Sequence, residues 1–389
     1  MFKTAPAVFA VGDSYQIMVT VTAPALFSVK VGDETFYDAS NGIMRSLSPL
    51  HLVSVPMAAL DAAGGYTVCV RRLIERKPYF TTTEPGEEQY FAFTPVPHGS
   101  ARAYHIADAH NRVETAVKAA ETFGDIDFLI LNGDVIDHSG DPSKFDNIYA
   151  IAAALTGGHK PVVFSRGNHD MRGNFAEQFA AYTPSENGNT YYTFRLGDIW
   201  GLVLDCGEDK PDSHAEYGCT VACHDFRLRQ TAFLKNEIEK AAFVADGVKT
   251  RLVIVHNPFT HRLKPPFDIE DEIFDEWTRL IREHIRPHAY ICGHLHHLGV
   301  HEMGSAFDDR GQGCPVVVGA RPGDNGYFAG CGLIIDGDRL TVSSPTVTAR
   351  RWQPSRRHRE RCRFCVPPPG GDGPQPPLRA ARTVHLLVP

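Results

Sequence analysis

Apolar and polar positions divide the chain into three textures. From Val8 to about Pro97, short apolar runs recur at Gln16–Val21, Leu26–Val31, His51–Val55, Tyr66–Val70 and Gln89–Phe93, separated by turns that contain Gly, Asp and Pro. Runs of that length and spacing, with no convincing helical periodicity between them, predict a small antiparallel β-sandwich over residues 1–97. Pro95-Val96-Pro97-His98-Gly99 reads as the linker that follows it.

After Arg102 the pattern changes to strands alternating with helices. Strands are predicted at Ala103–Ala107, Phe128–Leu131, Pro161–Ser165, Trp200–Leu204, Arg251–Val255 and Ala289–Cys292. Helical periodicity covers Arg112–Phe123, Pro142–Leu155, Asp225–Val244 and Ile269–Ile285. Such alternation predicts an α/β domain with a largely parallel sheet flanked by helices, spanning 98–349 and closed by short strands at Val316–Val318 and Gly332–Ile335. Residues 350–389, rich in Arg, Pro and Gly, offer little to bury and are expected to be disordered. Within them Cys362-x-x-Cys365 has the spacing of half a zinc knuckle, but no second half follows.

Charge sharpens this division. The net charge is −7, yet the last forty residues carry nine Arg against two acids, so the first 349 hold 30 basic and 44 acidic residues. An acidic body argues against broad nucleic-acid binding and favours a discrete site in which metal ions meet a phosphate. Gly12 and Asp13 interrupt the first apolar run, no stretch reaches the ~20 apolar residues of a membrane span, and the nine Cys follow no disulfide-scaffold spacing. A soluble, cytoplasmic protein without a membrane partner is therefore expected.

Five polar clusters stand at the ends of predicted strands: Asp108-Ala109-His110, Gly133-Asp134-Val135-Ile136-Asp137, Gly167-Asn168-His169-Asp170, His256-Asn257 and Gly293-His294-Leu295-His296. In open α/β sheets, ligands bind at the carboxyl ends of strands. Carboxylate, imidazole and amide oxygen together suit divalent transition ions. Extended backbone would send both side chains of D-x-H or H-x-H to one face, and the Gly before Asp134, Asn168 and His294 would allow a sharp turn. Each cluster is weak alone; the ordered set is not explained by ordinary loops and N-caps.

This set resembles the calcineurin-like metallophosphoesterase superfamily over roughly Tyr104 to Val318. The resemblance implies a four-layer α/β/β/α sandwich, preceded here by the small fibronectin III-like β-sandwich. It implies two transition-metal ions (Mn, Fe or Zn), one bound by Asp108, His110 and His296, the other by Asn168, His256 and His294, with Asp134 bridging. It further implies attack on phosphorus by a metal-bridging hydroxide, with His169 as the catalytic residue at the leaving group and Asp137 orienting it. The leading sandwich resembles the layout of purple acid phosphatases. His110 replaces their small residue, however, and Asp137 their metal-binding Tyr. His138 stands where serine/threonine protein phosphatases carry Arg.

The expected activity is hydrolysis of a small-molecule phosphate ester, a monoester first and a small or cyclic-nucleotide diester second. A noncatalytic scaffold for protein binding is the rival from another class. Arg166 is the first candidate phosphate clamp, with Arg321 behind it, and His138 and His297 are the His expected to touch substrate. His214, His261 and His301 are expected at the surface or behind the ligands. Cys219, Cys223 and His224 are read as a loop over the site in preference to a zinc site.

Overall fold

A computed structural model describes residues 1–40, 42–319, 321–322, 328–344, 350–351 and 382–387. Two sheets lie face to face, each covered on its outside by helices, which is the expected α/β/β/α layering. In the first, Cys331–Asp336, Ser100–Ile106, Phe128–Asn132 and Pro161–Ser165 are neighbours, the last three parallel. In the second, Ile199–Leu204, Thr250–Val255, Ala289–Cys292 and Val316–Gly319 run parallel, between antiparallel edges at Tyr192–Leu196 and Leu298–His301. These central strands are unbroken apolar runs because both of their faces are buried.

The helices follow from their spacing. Val113, Ala116, Val117 and Ala120 form one apolar stripe on Val113–Glu121, packed against the first sheet. Ile273, Phe274, Trp277 and Leu280 do the same on Asp271–Leu280 against the second, where they join Trp200, Leu202 and Val253. Two helices are displaced from their periodicity, one starting later and the other starting and ending earlier. Pro142–Lys144 forms a separate 3-10 turn before Asn147–Thr156, and the long helix runs over Cys223–Lys240.

The N-terminal strands do not stop at a linker. Ala7–Val11 lies fully inside the molecule and pairs in parallel with Pro161–Ser165, so the first sheet continues into them. One buried cluster includes Phe9, Ile17 and Val68 together with Leu129 and Val163. The runs Gln16–Val21 and Leu26–Val31 are one strand, Ser14–Val31, whose register shifts between Thr20 and Ala25. Before the shift it pairs with Ala7–Val11 and Ser48–Pro56; beyond it, with Glu34–Tyr37 and Gly65–Arg76. Pro24 marks that irregularity and not a turn between strands. A helix the periodicity missed, Met57–Ala63, buries Met57 and Leu60 and ends at Gly64 with φ +63°; seven residues are too few for a periodic signal. At the far edge, Arg382–Leu387 pairs antiparallel with Arg339–Ser344. Cys362 and Cys365 lie outside the described residues. Among the described residues no helix is long and apolar enough to cross a membrane.

Candidate active site

Register brings the strand ends level. Ile106 is paired with Leu131, Leu131 with Phe164, Leu204 with Val255, and Ile254 with Ile291. The next residues of every strand therefore emerge at one edge, where the two sheets meet. Asn132 fastens that edge. Its Nδ2 donates to the carbonyls of Val255 (3.3 Å) and Ile291 (2.9 Å) on the opposite sheet.

The backbone at this edge is left-handed, not extended. Asp108 (φ 53°), His110 (43°), Asp134 (51°), His294 (69°) and His296 (51°) all lie in the αL region. The convergence of Asp108 with His110, and of His294 with His296, thus comes from tight turns, which correct the expectation of strand alternation. Such conformations cost about 1–3 kcal/mol each in non-Gly residues and persist only where surroundings impose them. Here the Asp108 N–H donates to Gly133 O (3.0 Å), His110 N–H to Asp134 O (2.9 Å) and Gly293 N–H to His256 O (2.9 Å). Gly133 needs its lack of a Cβ twice over. Its φ is +76°, and a Cβ would lie 2.6 Å from both Gly167 N and His256 Nδ1. At Gly293 the reason is space alone, since a Cβ would meet Ala107 Cβ at 2.5 Å.

All seven expected ligands come together. Asp108, His110 and His296 place one potential ligand atom each within 4.8 Å of one another, and so do Asp134, His256 and His294. His110 Nε2 faces His296 Nε2 at 3.1 Å, and His296 Nε2 is 3.3 Å from Asp108 Oδ1. Asn168 Oδ1 is 3.0 Å from His294 Nδ1. Asp134 sits between the groups, with Oδ1 accepting from His169 N–H (2.8 Å) and Oδ2 3.1 Å from His256 Nε2.

The chemistry of these contacts fits metal ions. His256 Nδ1 is 2.6 Å from the carbonyl of Asn132, which can only accept, so Nδ1 carries the hydrogen. His256 Nε2, wholly buried, faces the carboxylates of Asp134 and Asp108 without a hydrogen bond. Two carboxylates converging on a buried imidazole nitrogen call for positive charge at that point, a proton or, in its place, a metal ion. Burial opposes charge on His256, but the adjacent Asp134 and Asp108 outweigh it and lift the imidazole to about 10. Burial pushes His294 down to about 4, where neutral imidazole is ready to coordinate.

The other expected residues divide. His169 donates from Nδ1 to the backbone carbonyl of Asp137 (2.7 Å), not to its carboxylate. That carboxylate is half exposed and lies 3.4 Å from His110 Nδ1. Arg166 is turned away, its Nε on Asp205 Oδ2 (2.7 Å) and its guanidinium over Phe226. His138 accepts from Gly140 N–H in its own loop (3.0 Å). His297 Nε2 meets His301 Nε2 at 2.9 Å, and His301 and His261 stack on Phe307 from rings 3.9 and 4.0 Å away. His214 accepts from Glu216 N–H. Cys219 is exposed, Cys223 Sγ accepts from Glu208 N–H, and His224 pairs with Glu270, so these three do not gather. The Arg321 side chain lies outside the described residues.

Sequence reasoning missed a sixth cluster. Asp205-Cys206-Gly207-Glu208-Asp209-Lys210 follows the strand Ile199–Leu204 and is buried throughout. A polar run at a strand end was the signal that found the other five, and it was present here too. Asn168 Nδ2 is 3.4 Å from Asp209 Oδ2, which turns the amide oxygen of Asn168 toward His294. Arg172 joins this wall through Glu208 and Asp209. Asp170 was read as part of a motif without a task. Its Oδ2 accepts from Asp134 N–H (3.1 Å) and Gly167 N–H (2.9 Å), clamping two ligand loops together. Burial, then the charge of Asp134, raises its carboxyl to about 8.

Known proteins are similar to this chain. A probable cyclic nucleotide phosphodiesterase of Rhodopseudomonas palustris is 26% identical over 206 residues, covering 50% of this chain and 66% of its own. The serine/threonine-protein phosphatase CPPED1 of Danio rerio is 29% identical over 213 residues, 51% of this chain and 62% of its own. The chain thus spans less than two thirds of either relative. The purple acid phosphatase PPD1 of yellow lupin (Lupinus luteus) has the same fold, with a TM-score of 0.51 at 13% identity over 88% of this chain and 71% of that one. The sequence profile of the calcineurin-like phosphoesterases matches residues 101–298, 198 of the 389. That span holds every ligand candidate from Asp108 to His296, and the chain belongs to the calcineurin-like phosphoesterase family.

Proposed function

We propose that this metal-dependent phosphoesterase hydrolyses small phosphate esters with two ions, one held by Asp108, His110 and His296, the other by Asn168, His256 and His294, and Asp134 shared. The observation that carries this reading is the buried His256 Nε2, on which the carboxylates of Asp134 (3.1 Å) and Asp108 (3.6 Å) converge. When bound, the ions supply an acidified water for attack on phosphorus and positive charge against the phosphoryl oxygens.

The chain's own residues do the rest. His169, anchored through Nδ1–H to the Asp137 carbonyl, is left with Nε2 as the atom that hands a proton to the departing oxygen. Asp137 acts on His169 through its backbone and on His110 through its carboxylate. Asp209 sets the amide of Asn168. The cysteines of the described residues are free thiols, which supports a reducing, cytoplasmic setting. The relatives' names pull two ways, one a phosphodiesterase and one a phosphatase. We favour monoesters, with small or cyclic-nucleotide diesters as the second reading.

Metal-stripped protein titrated with Mn2+ should take up two ions per chain and then cleave a chromogenic phosphate ester. Asp134→Ala should lose both ions and turnover. His169→Ala should keep the ions and lose about 10²–10⁴ in rate, the usual worth of a general acid. Full ester cleavage by Asp134→Ala, or by metal-free protein, would overturn the reading.

A further inference from the structure

Arg166, the guanidinium the sequence favoured, is spent on Asp205 and Phe226. Arg172 is built differently. Its Nε lies 3.1 Å from both carboxylate oxygens of Glu208, and its Nη2 lies 2.8 Å from Glu208 Oε2 and 2.9 Å from Asp209 Oδ1. Tyr217 Oη lies within hydrogen-bond distance of the same two carboxylates (3.1 and 3.0 Å), and Lys210 Nζ lies 3.2 Å from Asp209 Oδ1. The backbone is tied as well, with Arg172 N–H on His169 O and Ser139 N–H on Arg172 O. A guanidinium held on Nε and Nη2 keeps one edge for other work. That edge, Nη1, is 3.4 Å from His169 Nε2 and 3.7 Å from Glu216 Oε1.

We propose that Arg172 Nη1 is the donor for a terminal phosphoryl oxygen beside His169, and that it selects phosphomonoesters over diesters. The inference rests on the two-ion phosphoesterase reading of the same site. Nη1 and His169 Nε2 lie 3.4 Å apart, so an oxygen set beside the pair can reach both. Asp209 ties this point to the ligand set, holding Arg172 through Oδ1 and Asn168 through Oδ2. A monoester dianion has three terminal oxygens, and two facing the ligand cluster leave a third for Nη1. A diester has only two; its third substituent is an ester oxygen, a poor acceptor that carries a carbon group toward the Arg172–Asp209 wall. Glu208 and Asp209 offset the charge of Arg172, so it acts here as a fixed donor and not as a mobile cation.

The test uses the full-length, metal-loaded protein with Arg172→Gln and Arg172→Lys. The readouts are kcat/KM for p-nitrophenyl phosphate and for bis(p-nitrophenyl) phosphate, together with inorganic phosphate affinity by calorimetry. Losing a charge-assisted hydrogen bond should lower the monoester-to-diester ratio of kcat/KM by about 10–100-fold in Arg172→Gln, and weaken phosphate binding by a similar factor. Arg172→Lys, which retains the charge without the fork, should fall in between. If Arg172→Gln loses metal or melts early, Arg172→Lys decides alone. An unchanged ratio in an active, metal-replete variant, or unchanged phosphate affinity, overturns the role of Arg172 and leaves the phosphoesterase reading standing. A wild-type protein that binds two ions but neither cleaves esters nor binds phosphate overturns both.

Discussion

At the scale of the residue, the site is a set of groups whose charges make sense only with cations among them. His256 is the clearest case. Burial alone would keep it neutral, yet Asp134 and Asp108 hold its proton up to about pH 10. The sign follows from linkage. A pKa raised above the ordinary value of 6.5 means that the proton stabilises the metal-free fold fully below about pH 6.5, and that this contribution is lost as pH rises through about 10. A divalent ion at Nε2 must displace that proton. Metal uptake at pH 7 should therefore release a proton and tighten as pH rises. Calorimetric titration with Mn2+ in two buffers of different ionisation heat measures this directly. Buffer-independent heats would mean that His256 enters the complex already neutral.

At the scale of the element, six strands end level and six loops leave them, three from each sheet. The loops interlock through backbone, because Asp108, His110 and Gly293 all donate to carbonyls of neighbouring ligand loops. Gly133 lies where this contact is closest. Gly133→Ala would combine a left-handed φ with a Cβ against Gly167 N and His256 Nδ1. We expect it to cost ~2–6 kcal/mol of stability, since backbone strain and overpacking each contribute ~1–3. It should also lower metal content by displacing His256. Denaturant unfolding and metal analysis check both parts. A variant with native stability would show that the loops can part without loss.

At the scale of the molecule, the N-terminal strands share a sheet and a core with the catalytic layers. Phe9 is fully buried, and its ring meets Phe164 edge-on at 6.3 Å, on the strand that leads to Asn168. Phe9→Ala should cost ~3–5 kcal/mol, the usual range for a buried Phe. Because the core is continuous, residues 1–97 should unfold with the remainder in one transition. Far-UV circular dichroism and the fluorescence of Trp200 and Trp277, both in the second-sheet core, should then give coincident curves. A separate early transition, invisible to those Trp residues, would mark the N-terminal strands as independent.

Much of this was legible without a structure. Apolar runs located the central strands to within three residues at either end, because a strand buried on both faces leaves an uninterrupted signal. The five clusters after those runs marked the candidate site, since strand ends at one sheet edge are where side chains gather. What the chain alone could not reveal was the pairing of residues far apart in sequence. Ala7–Val11 was an undistinguished apolar run until Pro161–Ser165 lay beside it. Asp170 became a clamp only once Asp134 and Gly167 were brought to one carboxylate oxygen. Arg166 and Arg172 read alike as letters. Asp205 captured the first, while Glu208 and Asp209 fixed the second next to His169. Local sequence determines which groups are available; through-space distance decides which of them remain free to act.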